Sequence, residues 1–222
     1  MCCTMKTSSS CTPSVRAPYP TTEVRWFFEG TVPPQVEAWF QALNSDAAGG
    51  GRRTDYYLRL PNEETLGVKW REDRIEIKRR VGDVEVVSFA PQITGAVGRW
   101  RKWSFALSES EATGALQTSK DWVAIAKVRR LYTYAVDDKG IPRLASGFAL
   151  PRGCELELTR IQALGQRWWT LGFEAFGDET SQPEALRQTV AHTLQGTESF
   201  ILPLTASADY PRWLSVCMSS RR

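Results

Sequence analysis

Histidine is almost absent: His192 is the single one in 222 residues. That leaves too few imidazoles for a Cys/His zinc site and no basis for a Ser-His-Asp arrangement. His192, on a helical stretch, reads as a surface or helix-end residue. The five cysteines are an odd number with no paired C-x-x-C. Cys2, Cys3 and Cys11 sit near the N-terminus, and Cys154 and Cys217 are isolated. Such usage reads as a reduced, cytoplasmic protein, with Cys154 as a small buried hydrophobe. No apolar run nears the roughly 18 residues of a membrane span, so no membrane partner is expected. The phosphate loop G-x-x-x-x-G-K is missing too. Excess charge of one sign is slight, +3 overall, too little to point to nucleic acid through bulk electrostatics.

Apolar residues make up 42% of the chain and charged ones 24%, the proportions of an ordinary folded domain. Residues 1–20 differ. Ser, Thr, Pro and Cys dominate there, Lys6 and Arg16 are the charged side chains, and apolar periodicity is missing. They lack the apolar core of about 7 residues that a secretory signal needs. The expectation is a disordered tail over 1–20 and a single domain over 21–218. An organelle-targeting segment is the other reading of the tail.

The chain is organised around residues 154–177. Glu155, Glu157 and Thr159 alternate with Leu156 and Leu158, and Thr170, Gly172 and Glu174 alternate with Trp169, Leu171 and Phe173. Period two is the strand signal. A turn centred on Leu164-Gly165 makes the two runs a hairpin in which Glu155 stands opposite Glu174, with Glu157 beside them. Like charges directly opposite are unfavourable in a sheet. Something positive must sit among them, either basic side chains or a divalent cation.

Further strands are predicted at 22–29, 52–60, 66–71, 74–80, 84–89, 100–107 and 121–136, with a short run at 144–150 and a candidate at 199–204. Helices are predicted after Pro33-Pro34, with Val36, Trp39, Phe40 and Leu43 on one stripe, and at 183–195, with Leu186, Val190 and Leu194. Shorter ones are expected at 108–118 and, capped by Asp209, at 210–216. Residues 44–51 and 91–98 read as loops, and 138–140 as a hairpin turn.

Six strand runs place charge on one parity and apolar or aromatic residues on the other. The charged set is Glu23, Arg25, Arg53, Asp55, Lys69, Arg71, Glu76, Lys78, Arg80, Lys127, Arg129, Glu155, Glu157 and Glu174. An open antiparallel sheet with one solvated face would produce this. The aromatic character of the other parity, and two amphipathic helices to cover it, favour another arrangement. This is a mainly β (α+β) fold: a closed or nearly closed eight-stranded antiparallel barrel with a polar charged tunnel and a few covering helices. Buried charges must be paired, metal-bound or matched by a ligand. Basic strands suit phosphate oxygens, and a carboxylate cluster suits Mg²⁺ or Mn²⁺.

Six segments, in this order, carry a family resemblance: 23–25 (E-V-R), 53–57 (R-T-D-Y-Y), 68–71 (V-K-W-R), 126–129 (A-K-V-R), 155–158 (E-L-E-L) and 207–210 (S-A-D-Y). Over roughly residues 22–215 the chain resembles the CYTH, or triphosphate tunnel metalloenzyme, superfamily, whose eight-stranded barrel binds triphosphates and divalent metal. The resemblance implies Mg²⁺ or Mn²⁺ on Glu23, Glu155 and Glu157, with Glu174 beside them. It implies phosphate contacts from Lys69, Arg71, Lys78, Arg80, Lys127 and Arg129. Glu155 and Glu157 would be the catalytic carboxylates of a phosphohydrolase acting on a small phosphorylated molecule or polyphosphate. The family opens Glu-x-Glu-x-Lys, whereas these positions here are Glu23, Arg25 and Phe27. That change favours an alternative: a non-catalytic barrel that binds a phosphorylated ligand or polyanion, with Arg25 neutralising the Glu155/Glu174 pair. A second alternative inverts the barrel into a lipocalin-like carrier, with Trp70, Leu156 and Leu158 lining the lumen.

Overall fold

The structure, a computed structural model, describes residues 18–43, 49–107, 119–136, 142–145, 150–197 and 201–219. Its architecture follows from the hairpin. Leu164 and Gly165 take φ of 51° and 75°, the positive pair a two-residue hairpin turn needs to match strand twist. That turn joins β9 (Gly153–Ala163) to β10 (Gln166–Phe176) and sets Glu174 opposite Glu155. β1 (Tyr19–Glu29) adds to the other edge of β10 with Glu23 opposite Glu174. Three carboxylates thus form one row across three strands.

The other strands are β2 (Gly49–Leu58), β3 (Leu66–Arg71), β4 (Arg74–Arg80), β5 (Glu85–Ala90), β6 (Ile93–Ala106), β7 (Trp122–Val136) and β8 (Pro142–Leu144). Neighbours run β1-β10-β9-β7-β2-β3-β4-β6, and β6 pairs back onto β1. Eight antiparallel strands therefore close into a barrel, which leaves none of those eight with a free edge. β5 and β8 are outlying partners of β6 and β7.

Because side chains alternate across a strand, closure commits one parity to the lumen. Leu156, Leu158, Leu171, Phe173, Val24 and Trp26 all turn outward into the main core, each 2% exposed or less. Two helices cover them. α1 (Pro34–Ala42) brings Val36 and Phe40, and α2 (Gln182–Thr193) brings Ala185, Leu186 and Val190, with Leu194 following. The Trp39 indole N–H donates to the Thr193 carbonyl at 3.0 Å and ties the helices together. Gln182, 1% exposed, accepts from the Thr22 hydroxyl and donates to the Pro20 and Gly177 carbonyls. Trp70 is on the outward parity too, paired with Ile75 while Lys69 points inward. The apolar-carrier arrangement is therefore not the one found.

A third helix, α3 (Tyr210–Ser219), does something different. Trp213 and Leu214 pack against Phe27, Tyr57, Val123, Ile125, Ile161 and Ala163 and fill one end of the barrel. Phe27 stacks on Trp213 with centroids 4.8 Å apart. The Asp209 carboxylate accepts from the Arg212 N–H at 2.9 Å, the expected cap. Ser207 anchors the entry to this helix, donating to the Arg25 carbonyl and accepting from the Ala96 N–H.

Several boundaries differ from expectation. Residues 93–98 are strand, not loop. Gly95 reads as a loop residue but marks a close approach, since a Cβ there would lie 2.4 Å from Val24 Cγ2. Gly49 to Gly51 likewise belong to β2, opposite Leu131, Arg130 and Arg129. Tyr19 and Pro20 pair with Lys102 and Arg101, so β1 reaches into the expected tail. In the 199–204 candidate, Leu202 makes one isolated bridge to Ile93, and a 3₁₀ turn begins at Leu204. The expected helix at 108–118 and the turn at 138–140 lie outside the described residues, as do residues 1–17.

Candidate functional site: the charged lumen

The lumen is a cavity of about 310 Å³ lined by acids and bases from every barrel strand. Its basic side is built from three trios, each one carboxylate between two cations. On β2 and β7, Arg53 and Lys127 stand directly opposite, an unfavourable like-charge pair. Asp55, two residues further along, takes both: Lys127 Nζ lies 2.9 Å from Oδ2 and Arg53 Nε 3.1 Å from Oδ1. On β3 and β4, Glu76 receives Lys69 Nζ and Arg71 Nη2, both at 2.7 Å. Glu157 on β9 receives Arg25 Nη1 at 2.8 Å and Arg129 Nε at 2.6 Å. Each trio keeps one positive charge beyond neutrality.

Burial drives the titration of these groups. It would raise the Asp55 carboxyl, but Lys127, Lys69 and Arg53 hold it at about 2. Desolvation lowers Lys127 and Lys69 to about 8 despite their carboxylate partners. The same opposition, with Arg25, Arg129 and Lys127 prevailing over burial, keeps Glu157 well below the carboxylate range. Lys127 also donates to the Tyr57 hydroxyl at 3.0 Å and sits 3.9 Å from the Tyr210 ring centroid, a cation–π contact.

The acidic side is the row Glu23, Glu174 and Glu155. Glu23 accepts from the Thr21 hydroxyl at 2.6 Å and from Lys78, whose Nζ is 3.9 Å from Glu174. Facing each other in a buried setting, Glu23 and Glu174 titrate as a unit. Burial and mutual repulsion keep the last proton on the pair above the ordinary range. Glu155 makes no ion pair among the described residues. Burial and the facing Glu174, opposed by Arg129, push its carboxyl up to about 7.

Of the expected phosphate contacts, Lys69, Arg71, Lys78, Lys127 and Arg129 line the cavity. Arg80 stands apart, 3.3 Å from Asp209 at the foot of α3. The expected acids Glu23, Glu155, Glu157 and Glu174 all line the cavity too. Arg25 makes no direct ion pair with Glu155 or Glu174. Its guanidinium goes to Glu157 and Thr170, because Arg25, Gly172 and Glu157 share one row of the sheet. Lys102 and Tyr210 were not anticipated. Lys102 follows the lumenal parity of Trp100, a signal hidden because Arg99 and Arg101 put charge on the opposite parity of the same run. Tyr210 enters from α3, which no strand pattern could reveal.

Whether these acids suit a metal is decided by their free oxygens. A carboxylate offers about four lone-pair sites. Oε1 of Glu157 accepts from Arg25 and from Thr159, at 2.9 Å, and Oε2 accepts from Arg129 Nε and lies in ion-pair contact with its Nη2. Both oxygens of Glu157 are thus already engaged by its own bases and Thr159. Among the described residues no group of three or more His, Cys, Asp or Glu side chains is placed to hold a metal ion. The donor set does not fit the metal site that the resemblance implies.

No helix among the described residues is long and apolar enough to cross a membrane. No protein-family model matches this chain, and no curated protein matches it either. Solved structures with some likeness include a conserved hypothetical protein from Pyrococcus furiosus, with TM-score 0.44 and 13% identity over 86% of this chain and 98% of that one. Another is a protein from Pyrococcus horikoshii OT3, with TM-score 0.44 and 14% identity over the same shares of the two chains.

Proposed function

We propose that the barrel binds a triphosphate or polyphosphate group in its lumen, with the three cation-rich trios as the binding surface. The observation that carries this reading is the pairing of each of Asp55, Glu76 and Glu157 with two bases. The surplus cations suit a polyanion, and the fixed partners hold each base in place before a ligand arrives, which lowers the ordering cost of binding. Three more features support it. Lys102 lines the cavity and makes no ion pair among the described residues. Arg71 Nε and the Tyr210 hydroxyl are buried with no hydrogen-bond partner among the described residues, donors that a ligand oxygen could satisfy. The cavity volume lies at the small-ligand end of the usual range of about 300–1,000 Å³. A cytoplasmic setting belongs to the same reading, supported by Cys154 being buried as a free thiol.

Calorimetry with tripolyphosphate in EDTA tests it. We expect one site per chain, with affinity falling as salt rises. Absence of binding both in EDTA and in Mg²⁺ would refute the reading.

A second reading, phosphoanhydride hydrolysis, is favoured by Glu155. It makes no ion pair among the described residues and titrates at about 7, the condition for a general base in the lumen. Orthophosphate release that disappears in Glu155→Gln would support turnover. Binding without release leaves a binding module.

Glu155 also makes a pH prediction. Its folded value of about 7 lies above its ordinary 4.5. Between those values the folded state holds a proton that the unfolded state has lost, so this group's contribution to stability falls as pH rises through that window and is flat above it. In the lumen, the same proton removes a negative charge. Affinity for sulfate, whose own charge is constant there, should fall about 10-fold from about pH 6 to about pH 8. Glu155→Gln should reduce that dependence to the part contributed by Lys69 and Lys127, which titrate at about 8.

A further inference from the structure

We infer that Arg25 is the lumen's built-in cation: its guanidinium, seated on Gly172, does for Glu157 what a bound metal would otherwise do, and polyanion binding is therefore metal-independent. This rests on the reading that the lumen takes a polyphosphate group.

The seat is made by the register. Arg25 on β1, Gly172 on β10 and Glu157 on β9 are direct neighbours in one row. Position 172 lies between cation and anion, and any side chain there would separate them. A Cβ on Gly172 would fall 2.5 Å from Arg25 Cζ, 2.7 Å from Nη2 and 2.9 Å from Nε. The guanidinium thus lies flat on bare backbone and crosses β10 to reach Glu157. Thr170 fixes it from the side, with its hydroxyl oxygen 2.7 Å from Nη1. Tyr210 faces it from α3, with Cζ 5.4 Å from the ring centroid. Arg25 is 11% exposed and Glu157 9% at the side chain, so the pair is largely withdrawn from solvent.

The consequence is electrostatic. With Arg25 and Arg129 on one carboxylate, the Glu157 trio presents positive charge to a ligand. Without Arg25, Glu157 would keep Arg129 alone and the trio would lose its surplus positive charge; a carboxylate at position 25 would go further and extend the acidic side formed by Glu23, Glu155 and Glu174, which a polyanion could approach only with a divalent cation between them. Position 25 therefore sets whether this lumen needs a metal.

The test uses the full chain and two probes. Mn²⁺ alone, followed by electron paramagnetic resonance, reports metal binding whether or not any phosphate binds. Tripolyphosphate, followed by calorimetry in EDTA and in Mn²⁺, reports the anion. Wild type should take up no Mn²⁺ at about 100 μM and bind tripolyphosphate equally in both buffers. Arg25→Glu should take up one Mn²⁺, lose at least about 100-fold in tripolyphosphate affinity in EDTA, and recover most of it in Mn²⁺. Arg25→Gln, which adds no acid, controls for misfolding. It should weaken the anion about 10-fold in both buffers and still exclude Mn²⁺. Gly172→Ala displaces the guanidinium without changing charge and should weaken the anion likewise. Stoichiometric Mn²⁺ on the wild type, or wild-type anion binding that requires Mn²⁺, overturns the inference. Failure of the anion to bind under any condition removes the polyphosphate reading, whereas the Mn²⁺ arm still decides what Arg25 does.

Discussion

Asp55→Asn should destabilise the fold by about 3–5 kcal/mol, the usual cost of removing one partner from a buried ion pair. Asp55 is fully buried and Lys127 is 4% exposed. The substitution leaves Lys127 and Arg53 facing each other across β2 and β7 with no anion between them. Urea unfolding followed by circular dichroism reads the loss as a lower midpoint at unchanged slope. Asp55→Asn combined with Lys127→Met should recover much of it, because the double change removes the charge instead of stranding it. A wild-type-like midpoint for Asp55→Asn alone would mean that the trio is solvated. The same carboxyl has a pH signature. Its folded value of about 2 lies below its ordinary 3.8. The contribution is therefore complete above about pH 4 and is lost as pH falls toward 2, about 2 kcal/mol in all.

The largest functional effect is expected from the trio on β3 and β4. Lys69→Gln with Arg71→Gln removes two charged donors from one side of the lumen. Hydrogen bonds to charged groups contribute about 1.5–3 kcal/mol each, so tripolyphosphate should bind at least about 100-fold more weakly. The pair also strands Glu76, 6% exposed, and some loss of stability will accompany it. Adding Glu76→Gln separates the effects: the triple variant should regain stability and remain defective in binding. If the triple variant binds as wild type does, the anion does not contact this trio.

Much of this was legible in the chain because strand chemistry is local. Alternation at 155–159 and 169–174 is a property of neighbouring residues. The turn at Leu164-Gly165 needs two positive φ values and sets the register by itself, so the Glu155–Glu174 juxtaposition could be read without coordinates. The apolar stripes of α1 and α2 likewise announced that the outer face of the sheet would be covered. Less legible were the segments where small residues serve packing. Gly95 and the three glycines at the start of β2 look like loop residues, yet they lie in strands; bulky side chains crowd Gly95 and the partner backbone crowds Gly50.

The partner of Arg25 was out of reach for a different reason. Its position on the lumenal parity is a local fact, but three strands must be laid side by side before Gly172 becomes the gap through which it meets Glu157. The plug has the same character: nothing within 210–219 says that Tyr210 and Trp213 enter the barrel and not its outer surface. By itself the amino-acid order determined which side chains share a face, since a two-residue period follows from backbone geometry alone. Tertiary structure decided which charges meet, because barrel closure brings together residues more than 100 positions apart and the interior leaves each buried charge to find its partner there.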